Sequence, residues 1–259
     1  VELLASINGT PVRLLAETIS RDRRFGDARV SVSGRGRIAW LADPYDPAAA
    51  RTNSAALTSQ QIAGQVLEIN GVPLGWSFDW QIPDWLVPAG VWSHQGSRVD
   101  ALQHIAQAAG GYILGHRTDE TIHVLPDYPT APWLWSTLTP DYTIPANVAT
   151  VEGIAWADAP AYNAVYVSGQ QGGVLRRVLR AGTTGDFATQ MVTDALITAD
   201  SVAAARGTAI LAQAGRRADV TIRMPVLSGV GILEVGKFVA YNDGLTTYRG
   251  LVRAVRVEW

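Results

Sequence analysis

Apolar and polar residues alternate through Val30-Ser31-Val32-Ser33, and residues 12–20 and 28–33 are predicted strands joined by Arg23-Arg24-Phe25-Gly26-Asp27. Gly26 and Asp27 supply the turn chemistry. A short helical stretch over 37–42 is stopped by Pro44 and Pro47. The spacing of Ile62, Val66 and Ile69 predicts a helix over 58–69. Thr58 and Gln61 form a capping box, Leu57 and Ile62 a hydrophobic staple, and Gly71 lies just past the end. Trp76, Phe78, Trp80 and Ile82 alternate with polar residues and predict a strand with one large apolar face. A second helix is predicted over 97–109, with Ser97 as cap, Asp100 three residues on, and Gly110-Gly111 as the stop. A hairpin follows, with strands at 112–114 and 121–125, and then a proline-rich connection over 126–147.

The alternation returns at Tyr162-Asn163-Ala164-Val165-Tyr166-Val167-Ser168-Gly169. Like the strand ending at Gly34, this one stops at a glycine. A glycine-rich turn over 169–173 leads to a strand at 174–179. A helix is predicted over 201–214, capped by Asp200 or Ser201 and closed by Gly215. Strands at 220–224, 237–241 and 246–258 complete the chain, the last two joined through Asn242-Asp243-Gly244. In the final strand Leu251, Ala254 and Val255 are mixed with Arg249, Arg253 and Arg256, so one face is wet.

Charge separates a middle from two flanks. Residues 1–40 carry 7 Arg against 4 acids (+3), residues 41–163 carry 3 Arg against 12 acids (−9), and residues 164–259 carry 10 Arg and one Lys against 7 acids (+4). Seven of the nine Trp fall in the middle stretch. This is the pattern of a domain interrupted by an insertion.

At 259 residues the chain is long enough for about two domains, and 47% hydrophobic with 17% charged residues is the composition of a folded protein. A net charge of −2 argues against a dedicated nucleic-acid binder. The absence of Cys excludes disulfides and thiolate metal sites. No apolar run reaches the length of a membrane span, and Val1-Glu2-Leu3-Leu4 has no signal-peptide pattern. The chain lacks an initial Met and is expected to be a fragment.

Candidate chemistry is sparse. No nucleophile elbow, P-loop or complete dinucleotide fingerprint is present. His116 and His123 flank a loop with Asp119 and Glu120, where a metal is conceivable but ordinary hairpin composition is the stronger reading. His94 and His104 read as packing or surface residues. Asp43 with Asp46, or Asp79 with Asp84, can be imagined as a glycosidase pair, although isolated acids usually sit in solvated turns. Trp76, Phe78 and Trp80 read as core. Trp85 and Trp92, in and after Ile82-Pro83-Asp84-Trp85-Leu86-Val87-Pro88, are expected to be the exposed pair. No catalytic residue, metal or cofactor is assigned; Trp85, Trp92, Arg249, Arg253 and Arg256 are the candidate interaction residues.

The run from Val30 to Asp43, with Gly34-Arg35-Gly36 at its centre, resembles the strand, Gly-Arg turn and short helix of the central baseplate hub proteins of phage tails. These are the Mu-like 43 kDa tail proteins and the related late-control proteins. Residues 57–67, 96–111, 112–125, 162–169 and 194–217 resemble further elements of that family, in the same order. The resemblance implies a homotrimer whose subunits each place two related barrel-like domains in a ring. It implies partners too: the tail tube or distal tail protein, a tail spike or fibre, and the tape-measure protein. DNA would pass through the channel, without sequence-specific binding and without catalysis.

The expected fold is α+β. Antiparallel barrel-like, tail-tube-type sheets come from 1–35 plus 150–259, the first barrel incomplete, and a small α/β domain is inserted over 36–149. The expected role is a structural virion protein at the tail tip or baseplate, assembled in the bacterial cytoplasm. A Trp-based glycan-binding module, a cell-wall hydrolase and the hub of a contractile secretion system are the competing readings.

Overall fold

The computed structural model describes residues 1–170, 173–226 and 230–258, with Asp27 described for its backbone alone. Gln171 and Gly172 of the expected glycine-rich turn lie outside the described residues.

The chain opens with a three-stranded antiparallel sheet of β1 (Glu2–Ile7), β2 (Thr10–Arg24) and β3 (Asp27–Gly36), in that order. Asn8 and Gly9 both take positive φ, 48° and 82°, the geometry of a two-residue hairpin turn whose twist matches the flanking strands. The β2–β3 register shifts between Ala16 and Thr18. Gly34 sits opposite this bulge, and a Cβ there would run into the Leu15 carbonyl. A glycine is therefore required where the backbones come closest. Arg37–Leu41 then forms a single 3₁₀ turn rather than a full helix.

Both expected capping boxes are present. α1 (Ser59–Val66) is capped by Thr58 with Gln61, and α2 (Arg98–Ala108) by Ser97 with Asp100. The strand Ser77–Trp80 pairs in parallel with Thr121–Pro126, which pairs antiparallel with Gly111–Gly115. α3 (Asp200–Ala212) begins one residue earlier than expected. Its N-cap is Ala199, without a side-chain cap, and Asp200 lies inside the first turn, ion-paired with Arg176.

The main core crosses the boundary expected near residue 150. Ile62, Val66, Leu102, Ile105, Ile122 and Val124 share one apolar cluster with Val165, Val167, Leu196, Ile197, Val202 and Leu211. The reason is α3. It packs on the strands Ala164–Gly169 and Leu175–Leu179 and also touches α2. Arg206 donates to the Gln107 carbonyl at 2.6 Å. A Cβ on Gly110 would lie 2.5 Å from that of Ala209. The compact body thus runs over roughly 37–126 and 160–215, not over 36–149 alone.

The remaining strands form two thin layers. Val151–Ala157 pairs antiparallel with Arg217–Arg223, and Tyr142–Ile144 lies beside Phe238–Asn242 and Thr247–Leu251. The layers meet where the Tyr241 hydroxyl donates to Glu152 and the Trp156 and Tyr248 rings stand 6.2 Å apart. The Glu152 carboxylate pushes the Tyr241 phenol up to about 12. The final strand ends at Leu251, short of the expected 258. Among the described residues no sheet exceeds three strands and none closes on itself, and no strand of 1–36 pairs with one beyond 150. The two flanks are linked through the hairpin loop. The Arg13 amide donates to the Arg117 carbonyl at 2.8 Å, and the Arg117 guanidinium to the Leu233 carbonyl at 3.2 Å.

Candidate assembly surfaces

Trp85 and Trp92 are not exposed: they retain 3% and 2% of their accessible surface. The Trp85 indole N–H donates to the Leu196 carbonyl at 2.8 Å, and its own carbonyl accepts from the Ser59 amide at the start of α1. Trp92 is held through Asn53, a fully buried amide. The Asn53 Oδ1 accepts from the Trp92 amide, while its Nδ2 donates to the carbonyls of Ala55, Val87 and Pro88. This polar cross-brace folds the proline-rich loop inward. Among the described residues the exposed Trp are Trp40 and Trp156. Trp40 donates to Glu2 and meets Tyr45 edge-on, and Trp156 lies under the Arg216 guanidinium at 4.4 Å.

Of the four carboxylates imagined as hydrolytic pairs, Asp46, Asp79 and Asp84 are engaged in internal contacts. Asp46 is buried and ion-paired with Arg98 and Arg51, and it accepts from the Arg98 amide. Arg98 also donates to the carbonyls of Val66 and Glu68, tying the end of α1 to the start of α2. Asp84 accepts from the Ser59 hydroxyl and the Gln60 amide at the α1 N-terminus. The hydrogen bond from His123 holds the Asp79 carboxyl below its usual range, and Gln81 adds to it. Asp43 is exposed and lends its carbonyl to Arg35.

His116 and His123 stand 5.6 Å apart, but the His116 Nδ1 already accepts the amides of Thr118 and Asp119. No cluster able to hold a metal occurs among the described residues. His94 and His104 face each other at 5.2 Å, and burial holds His94 below the usual imidazole range.

Of the candidate arginines, Arg249 donates to the carbonyls of Trp135 and Leu138, and Arg253 lies 4.7 Å over the Tyr128 ring. Arg256 is exposed and pairs with Glu258 at 2.9 Å. Asp127, Tyr128, Gln213, Arg217, Asp219 and Arg253 line an open cleft of about 240 Å³. Burial raises the Asp127 carboxyl there, against the pull of Arg253 and Arg206.

A long unpartnered surface lies in β2 and β3. From Glu17 to Arg24 and from Ala28 to Gly36 every described residue is exposed. The register places Ile19 opposite Val32 and Arg21 opposite Val30 on one face. Thr18 opposite Ser33, Ser20 opposite Ser31, and Asp22 opposite Arg29 occupy the other. Ile19 and Val30 retain 66% and 61% of their surface, and Phe25 at the tip is fully exposed. The alternation at 28–33 carried this signal.

The fold is similar to that of two tail proteins of known structure. Among solved structures it is similar to the tail protein from Neisseria meningitidis MC58, with a TM-score of 0.61 at 17% identity, covering 96% of this chain and 76% of that one. It is also similar to the 43 kDa tail protein of prophage MuSo2 from Shewanella oneidensis, with a TM-score of 0.51 at 14% identity, covering 92% and 70%. The overlap with a chain of the phage P2 baseplate in its activated conformation with Ca, at a TM-score of 0.31 and 6% identity, is too loose to equate the folds. No family model and no curated protein matches the sequence.

Proposed function

We propose that this chain is a structural, non-enzymatic virion protein, a hub of the tail baseplate at the tail tip. It joins the tail tube or distal tail protein to a spike or fibre as a homotrimer, and DNA and the tape-measure protein pass through its ring. It is assembled into tails in the bacterial cytoplasm. The observation that carries this reading is the match in architecture to the Neisseria tail protein over 96% of the chain. The open sheets support it. Thin β layers with free edges are liabilities in a lone molecule and are normally paired or covered. In this reading barrel-like closure is completed between subunits, the tube-type flanks are the strands of 1–36 and those beyond 216, and the body between them includes α3. Arg256 is the candidate arginine freest to reach a neighbour.

The glycan-binding reading loses its motive, because the two Trp residues chosen for it lie in the core. Gold-labelled antibody against this chain, applied to intact phage tails, should mark the tip. Label along the whole tube, or none on tails, overturns the proposal. Label on capsid-free contractile particles favours a secretion-system hub.

A further inference from the structure

The ribbon formed by residues 18–33 is two strands thick and exposed on both faces. An isolated two-stranded ribbon is marginal in water. This one is also amphipathic. Ile19, Val30 and Val32 project from one face among Arg21 and Arg23, while Ser, Thr, Asp22, Arg24 and Arg29 occupy the other. A face so patterned is built for burial. The outer edge of β3 makes no backbone hydrogen bond beyond its pairing with β2 among the described residues.

Charge indicates what covers it. Residues 18–33 carry 4 Arg against 2 Asp, a balance of +2, whereas the body over 37–126 and 160–215 carries 8 Arg against 11 acids, a balance of −3. The aliphatic side chains between the arginines suit a protein surface better than a phosphate backbone, which is met by cations and polar groups. We propose that the ribbon is an arm that docks, by its Ile19–Val30–Val32 face, on the acidic body of a second copy of this chain. The contact is heterologous, arm to body, and repeats around a closed ring. This deepens the hub reading and rests on it, but it makes a separate demand on particular residues. Opposite charge would speed the encounter and make it sensitive to salt, and the aliphatic face would supply the grip.

Sedimentation velocity tests it on the intact chain. Wild type should self-associate above micromolar concentration, less so at high salt. Ile19→Ser with Val32→Ser, an opposed pair, should weaken association at least about tenfold with the melting temperature unchanged. Arg21→Glu with Arg23→Glu, at exposed positions that leave the fold intact, should do the same. Ser20→Thr with Ser31→Thr, on the polar face, should have no such effect. A monomeric wild type, or variants that associate as wild type does, overturns the proposal. Retention of a labelled DNA duplex by a monomeric wild type, lost in the Arg variant, also overturns it and makes the arm a nucleic-acid contact. The antibody experiment on tails is independent of these variants, so the arm can fail while the hub reading stands.

Discussion

The body and the arm use the same residue types in opposite senses. In the body, Asn53 and Asp46 turn inward and find partners fixed around them. Asn53 is fully buried yet makes four hydrogen bonds, and Asp46 is buried between two arginines. In the arm, apolar side chains turn outward and stay exposed. A buried polar group is tolerated when its partners are fixed around it. An exposed apolar face on a thin ribbon has no such compensation within the molecule. The body is therefore complete in one copy, and the arm is not.

The contrast can be tested by substitution, beginning with the largest effect. Trp85→Ala removes a ring packed between α1 and the Leu196 segment and should cost about 3–5 kcal/mol in denaturant unfolding. A loss near zero would mean that the loop is not part of the core. Asn53→Ala leaves the Trp92 amide and three loop carbonyls without their partner, and should cost about 1–3 kcal/mol or more.

A smaller effect is expected from pH. Burial holds His94 below its ordinary value, with His104 and Arg51 adding to this and Asp100 opposing it. The unfolded chain takes up a proton near pH 6.5, where the folded site resists it. Stability should thus be full above about pH 6.5 and fall as the pH drops below it. The carboxyls of Asp79 and Asp100 are also lowered, so they stay charged in that range and add their own losses only in stronger acid. Melting curves on wild type and His94→Gln would show this, because the variant should have the flatter profile.

The smallest effect belongs to the arm. Phe25→Ser should change stability by no more than about 0.5 kcal/mol, since the ring touches nothing. Hydrogen exchange should sharpen the contrast further. Amides on the free edge of β3 should exchange fast in a monomer, and those of α2 and of Thr121–Pro126 slowly. A slow β3 edge in a monomeric sample would contradict the open ribbon.

Local chemistry made much of the body legible from sequence. Thr58 with Gln61, and Ser97 with Asp100, sit three residues apart, so each capping box is decided within one turn. The hairpin at Gly111–Gly115 and Thr121–Pro126 is equally local. The strand Val151–Ala157 was not legible. Val151, Gly153, Ala155 and Ala157 give it one face of mostly small residues, and its partner Arg217–Arg223 lies some sixty residues further along. The Asn8-Gly9 turn was a missed local signal, since Asn-Gly is the strongest short hairpin cue.

The candidate site divides along the same line. Trp85 and Trp92 looked exposed because proline-rich loops usually run over the surface. What buried them was the Leu196 carbonyl, 111 residues from Trp85, and the Asn53 amide, 39 residues before Trp92. The sequence by itself determined how α1 and α2 begin and where the hairpin after α2 lies, because hydrophobic period and capping act over a few residues. Tertiary structure alone decided that α3 joins the body, that the tryptophans face inward, and that the Ile19–Val32 face remains open. Those outcomes depend on which distant surfaces compete for burial, and a local pattern carries no record of that competition.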